Sequence, residues 1–275
     1  MGRVTARTPT VRWDVSAGTT SSRPDTIAVE EPLEIRIEDQ AVVVTMRTPG
    51  DDLDLALGFL LAEGLLADHL DVHSAMHCTD IGDDGSPTFN VLQIRLRPGV
   101  VAPDLSGRRT FGMTSACGVC GSASIDAVRA RAGTSLHTDG TVLPAALVAS
   151  LPARLRSAQA VFDRTGGLHA AGLFTADATL LAVREDVGRH NATDKVLGWA
   201  AREVGWPLTG TVLTLSGRAS FELLQKAWMA GVAVVAAVGA PSSLAVEVAE
   251  QAGITLVGFV RPPTLRCYSH PQRLR

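Results

Sequence analysis

The sequence predicts an α/β protein whose final third is a parallel sheet crossed by helices, preceded by a β-rich part. Three observations carry this. Apolar, β-branched runs at 211–215, 232–238 and 254–259 alternate with helical patterns at 221–230 and 241–252. That strand-helix alternation implies parallel neighbours joined by right-handed crossovers. Between residues 26 and 97, by contrast, short apolar runs are broken by polar turns, the pattern of hairpins or meanders.

In chain order, residues 1–25 are rich in Arg, Thr and Ser and are expected to form a disordered tail. The β-rich part spans 26–112. Its runs 26–37 and 41–47 pair around Glu38-Asp39-Gln40, and 72–79 and 89–97 read as two more strands. Between these pairs, 53–66 is apolar on nearly every side and reads as a buried helix. The α/β part spans 113–270. It opens with helices at 122–132 and 144–159, the second led by Pro144, whose missing N–H costs nothing in a first turn. A strand then carries His169, another covers 180–183, and a helix follows at 196–204. After the last parallel strand, Pro262 and Pro263 hold the chain extended into 265–269, and 271–275 are expected to fray.

Composition narrows the function. The chain has 275 residues, is 46% hydrophobic and 19% charged, and carries a net charge of −3. That charge gives no general field for nucleic acid or an anionic membrane, and neither is expected as a partner. No apolar run reaches the roughly 18 residues of a membrane-spanning helix, and the N-terminus lacks the apolar centre of a secretory signal. Four cysteines in so long a chain do not make a disulfide framework, so a reducing cytoplasm is the expected location.

The chemistry concentrates in a few stretches. In Thr114-Ser-Ala-Cys117-Gly-Val-Cys120-Gly-Ser122, two thiols sit three residues apart, each followed by glycine and all just before a helical pattern. Glycine leaves sulfur uncrowded, and the positive end of a helix dipole favours thiolate. Three chemical readings stand for Cys117 and Cys120, half of a zinc site, a redox dithiol, or a carrier that holds sulfur as a persulfide, beside the plain one of inert structural cysteines. Cytidine-type deamination needs a glutamate two residues after a ligating histidine and a Cys-x-x-Cys downstream. Here Ala171 follows His169 at that distance and the cysteines lie upstream, so the pattern that deamination needs is not met.

Three further patches look like ligand edges. Arg184-Glu-Asp-Val-Gly-Arg189-His190-Asn-Ala-Thr-Asp-Lys195 crowds both charge signs at a strand-to-helix junction. Its Arg189 and Lys195 can hold phosphates, with His190 beside them and an aspartate free to accept from a guanine edge, or the stretch is a helix cap with solvated ion pairs. Ser216-Gly217-Arg218-Ala219-Ser220 joins a strand end to a helix start, where free backbone N–H groups bind anions. Gly239 to Ser243 holds the equivalent place one unit later, and Arg261 stands where it can close on a phosphate.

Taken together, RTPGDDLDLALGFLLAEG, SACGVCG, GGLHAAG, REDVGRHNATDK, SGRASFELLQKA, APSSLAVEVAEQAG and TLVGFVRPP, in this order from about Arg47 to Tyr268, resemble the formate dehydrogenase accessory sulfurtransferase family (FdhD). The resemblance implies a cytidine-deaminase-like layered sheet with helices on both faces, without deaminase chemistry, and a homodimer. It implies a sulfurtransferase that takes sulfur from a cysteine desulfurase as a persulfide. The sulfur then passes to the molybdenum cofactor, bis(molybdopterin guanine dinucleotide), bound as substrate, for formate dehydrogenase. By motif, Cys117 carries the persulfide, Cys120 relays or assists, and Phe259, Val260, Arg261, Pro262, Pro263 and Thr264 form the cofactor-binding segment. Ser216, Gly217, Arg218, Ser220, Arg189, His190, Lys195 and His169 complete the expected binding set. No second Cys-x-x-Cys completes a metal site, and none is expected.

Overall fold

The computed structural model describes residues 3–81, 87–105 and 135–275. Cys117, Cys120 and the helix expected at 122–132 lie outside the described residues.

The first element departs from expectation. Residues 1–25 were to be a disordered tail, but strands β1 (Thr5–Asp14) and β2 (Thr19–Ala28) form a regular antiparallel hairpin. The polar composition hid a strand-forming one: Thr recurs along both runs, with Val11 in the first and Ile27 in the second, and β-branched side chains favour extended backbone. Asp14 accepts a hydrogen bond from Ala17 N–H at 2.9 Å, and Gly18 supplies a positive φ of 63° in the turn.

Strands β3 (Glu31–Ile37), β4 (Gln40–Arg47), β5 (Val72–Ile81) and β6 (Pro87–Leu96) make a mixed sheet in the order β4-β3-β6-β5. Alternation along β3 sends Leu33, Ile35 and Ile37 to one face, where they meet Leu55, Leu60 and Leu61 of helix α1 (Asp52–Ala62). Because a second helix covers its other side, α1 is buried nearly all round.

The larger sheet holds β7 (His169–Thr175), β8 (Leu180–Asp186), β9 (Thr211–Leu215), β10 (Val234–Ala237), β11 (Thr255–Arg261) and β12 (Thr264–Ser269) in the order β12-β11-β10-β9-β7-β8. As the sequence implies, β9, β10 and β11 pair in parallel; β7 and β12 flank them antiparallel. Helix α2 (Ala145–Ser157) covers one face through Val148, Leu151 and Leu155; the short helix α3 (Ala160–Thr165) follows it. Helices α4 (Arg189–Glu203), α5 (Phe221–Met229) and α6 (Ser243–Ala252) belong to the core on the other face. Both faces are thus buried, which is why the parallel strands read as continuous apolar runs rather than alternating ones.

Helix α4 begins at Arg189, seven residues before the expected 196–204. It joins the two sheets by packing on α1. A Cβ on Gly58 would lie 1.9 Å from the carbonyl oxygen of Asp194, and one on Gly198 1.9 Å from that of Asp54. The helices therefore touch backbone to backbone, and neither position has room for a side chain.

The C-terminus does not fray either. Pro271–Arg273 forms a 3-10 turn, and Arg273 is 2% exposed. Its guanidinium donates to the carbonyls of Gly253 (2.7 Å), Asp139 (3.3 Å) and Leu136, and to Thr255 Oγ1 (3.2 Å). Three loop carbonyls within reach of one guanidinium explain why this near-terminal arginine is drawn inward.

Candidate functional site

The C-terminal ends of β9, β10 and β11 open on one edge of the larger sheet, and backbone hydrogen bonds lock their loops together. Gly239 N–H donates to Gly217 O at 2.9 Å, Phe259 N–H to Gly239 O at 3.1 Å, and Ala219 N–H to Ala240 O at 3.2 Å. Gly239 has to be small, since a Cβ there would meet Gly217 O at 3.1 Å and Arg218 Cγ at 3.0 Å. Because β7 runs antiparallel to β9, its first residue, His169, arrives at the same edge. Ser216 Oγ accepts from Ala170 N–H at 2.8 Å, and a Cβ on Gly217 would lie 3.4 Å from His169 Nδ1. The imidazole therefore lies against the bare face of Gly217. Burial, with the positive charge of Arg189 and His190 nearby, pushes its pKa below the ordinary histidine value of 6.5.

Beside it stands a polar cluster. His190 Nε2 is 2.9 Å from Glu222 Oε2 and 3.2 Å from Ser220 Oγ, and Ser220 Oγ donates to Glu222 at 3.3 Å. The hydrogen bond from His190 holds the Glu222 carboxyl below the usual carboxylate range. Ser220 sits at the N-cap of α5, yet its hydroxyl does not cap that helix. Among the described residues no side chain caps the first turn of α5, an arrangement suited to an anion. Arg189 Nε is buried and has no hydrogen-bond partner among the described residues.

Several expected residues sit elsewhere. Lys195 is 1% exposed, and its ammonium lies 2.8 Å from both Asp186 Oδ2 and Thr48 O. Asp186, 0% exposed, also accepts from Thr48 N–H (3.0 Å), Gly188 N–H (2.8 Å) and Asn191 Nδ2 (3.2 Å). With its proton donors spent on internal partners, Lys195 fastens α4 to the loop after β4 and does not reach the open edge. Neither is the surrounding stretch a cap with solvated ion pairs. Val260 is 1% exposed and packs into the α2-side core, so only its backbone can serve a ligand. Arg218, Arg261, Pro262, Pro263 and Thr264 are exposed, the last four at the β11–β12 turn. Phe259 is 36% exposed at a left-handed φ of 49°, with the Arg266 guanidinium 4.8 Å from its ring centroid.

The structure thus brings together His169, Arg189, His190, Ser216, Gly217, Arg218 and Ser220, with Phe259 tied to them through Gly239. Sequence reasoning missed Glu222 and Arg266. An acidic residue two after a helix-leading serine was available as a signal for Glu222. Strand alternation in 264–269, which sets Arg266 beside the β11–β12 turn, was the corresponding signal for Arg266.

A class of protein follows from comparison with known proteins. The FdhD/NarQ family model matches residues 28–275, and the chain belongs to that family. It is 54% identical over 260 residues to a protein of Mycolicibacterium paratuberculosis named sulfur carrier protein FdhD, covering 94% of this chain and 96% of that one. A Streptomyces avermitilis protein of the same name is 52% identical over 275 residues, covering 100% and 97%. The crystal structure of a putative formate dehydrogenase accessory protein from Desulfotalea psychrophila superposes with a TM-score of 0.74 at 21% identity, covering 99% of this chain and 100% of that one, and shows the same fold. Among the described residues no helix is long and apolar enough to cross a membrane.

Proposed function

We propose that this protein carries sulfur, taking it from a cysteine desulfurase and giving it to the molybdenum cofactor destined for formate dehydrogenase. The observation that carries the reading is the 52–54% identity, across 94–100% of the chain, with proteins named sulfur carriers. In the first step the Cys117 thiolate attacks the terminal sulfur of the desulfurase's cysteine persulfide. A new S–S bond forms on Cys117, the old one breaks, and the desulfurase cysteine leaves as thiolate. Release as sulfide takes two electrons, which Cys120 supplies by closing a disulfide with Cys117.

The cofactor, as substrate, has guanine nucleotide arms. Their phosphates suit the uncapped start of α5 with Ser216, Gly217 and Arg218, and Arg189 has a buried donor to spare. Arg261 to Thr264 and the Phe259 ring offer an exposed platform next to these loops. The deaminase-like layering, a cytoplasmic location and pairing of two chains belong to the same reading. In a strain lacking its own carrier, Cys117→Ala and Cys117→Ser are expected to abolish formate dehydrogenase activation. Activation by Cys117→Ser would instead support a cofactor-binding chaperone whose thiols transfer nothing.

A further inference from the structure

The hairpin β1–β2 stands outside everything used so far. It precedes the span that the family model matches, which begins at residue 28. Among the described residues its contacts with its own body are traced at its root, and β2 also lies against α3. Val29 N–H bonds Val4 O at 3.1 Å, Val4 fills the space beside Gly50, and Ala28 fills that beside Gly167. Further out the two strands run paired to Trp13 opposite Thr20. A free two-stranded ribbon is marginal in water, and one that projects from a body usually has a surface to meet.

Its two faces differ. Ala6, Thr8 and Thr10 are partly covered, whereas Arg7, Pro9, Val11 and Trp13, on the alternate side of β1, are exposed. Opposite them on β2 stand Pro24, Ser22 and Thr20, also exposed. Trp13 is 71% exposed and Val11 59%. Pro9 and Pro24 offer no N–H to an added strand, so what the ribbon presents is an apolar face rather than a pairing edge.

We propose that this hairpin is a dimerisation arm whose Pro9-Val11-Trp13-Pro24 face seats on the body of a second copy of this chain. Two quantities select that occupant. Residues 3–28 carry four arginines and two aspartates, +2, in a chain of −3, which leaves the remainder at −5. A basic arm is thus matched to the acidic body of its own kind. The second quantity is area. Two paired strands of 10 residues make a ribbon face of roughly 33 by 10 Å, about 300 Å². One arm on an unrelated partner would bury about 600 Å² in total, below the roughly 1,200 Å² of a stable interface; reciprocal exchange about a two-fold axis doubles it to that threshold. The inference deepens the paired-chain part of the reading above and is independent of the sulfur chemistry.

The test is light scattering coupled to size exclusion on the full chain over a wide concentration range. The wild type is expected at twice 28.8 kDa. Trp13→Ala should raise the dimer dissociation constant at least about thirtyfold, as loss of a buried aromatic anchor does. Arg7→Glu, on the same face, should raise it by a smaller factor, and added salt should weaken the wild-type dimer. Amides of residues 10–22 should exchange more slowly as concentration rises. A wild type that stays monomeric throughout, or a Trp13→Ala protein that dimerises as tightly as the wild type, overturns the proposal. Sulfur uptake read by mass on the same samples separates the two readings, since an arm variant that loads sulfur as a monomer leaves the carrier function standing.

Discussion

One polar stretch, Arg184 to Lys195, feeds two regions of opposite character. Toward the smaller sheet, Asp186, Asn191 and Lys195 are sealed in, and Arg184 reaches Asp54 at 3.2 Å. Toward the sheet edge, Arg189 and His190 remain partly accessible beside Ser216, Gly217 and Ser220. In the first region each charge has an ionic partner, Lys195 with Asp186 and Arg184 with Asp51 and Asp54; in the second, no described side chain caps the start of α5, and Arg189 Nε, like Arg184 Nε, has no hydrogen bond among the described residues. Helix α4 makes the division, because residues three or four apart share a side and their neighbours do not. A charged motif is therefore not a ligand site as a unit, and each residue has to be assigned by where the helix points it.

The contrast can be broken most directly at Lys195. Lys195→Ala leaves Asp186 buried without its cation and should cost about 3–5 kcal/mol in urea unfolding. A loss under about 1 kcal/mol would mean that the pair is hydrated and the two regions alike. Substitution on the open side should do the reverse. Arg218→Ala is expected to change stability by no more than about 0.5 kcal/mol. By calorimetry it should weaken binding of guanosine diphosphate about tenfold or more, as loss of a charge-assisted hydrogen bond does. Unchanged affinity would remove this loop from the binding set.

The smallest expected effect concerns His169. Its folded-state pKa is depressed by burial and by Arg189 and His190, so the unfolded chain binds the proton more readily. Its contribution to stability is present above the ordinary histidine value and is lost as pH falls through the folded one. Between about pH 7.5 and about pH 5 the wild type should lose more stability than His169→Gln. Parallel curves would show that the ring is solvated rather than held against Gly217.

Legibility in the sequence followed the same division. The parallel strands and helices 211–259 were readable to within about two residues at most boundaries, because continuous apolar runs between glycine and proline breaks admit few alternatives. Helix α4 was cut short because its first turns bury Asn191, Asp194 and Lys195, and a polar buried face mimics a loop. The hairpin and Arg273 were missed for a related reason: composition speaks for polarity, not for whether a partner exists. At the edge, the glycine and serine loops were legible from their strand-to-helix position. Glu222, which reaches back to His190, and the sequestration of Lys195 required the tertiary arrangement.

The proposed function requires that sulfur ride on this chain at Cys117. Intact-mass spectrometry after incubation with a cysteine desulfurase and cysteine, followed by peptide mapping under non-reducing conditions, tests it. A gain of one sulfur atom is expected on the peptide holding Cys117, removed by reductant and absent from Cys117→Ala. No gain, or a gain confined to Cys78 or Cys267, would contradict it.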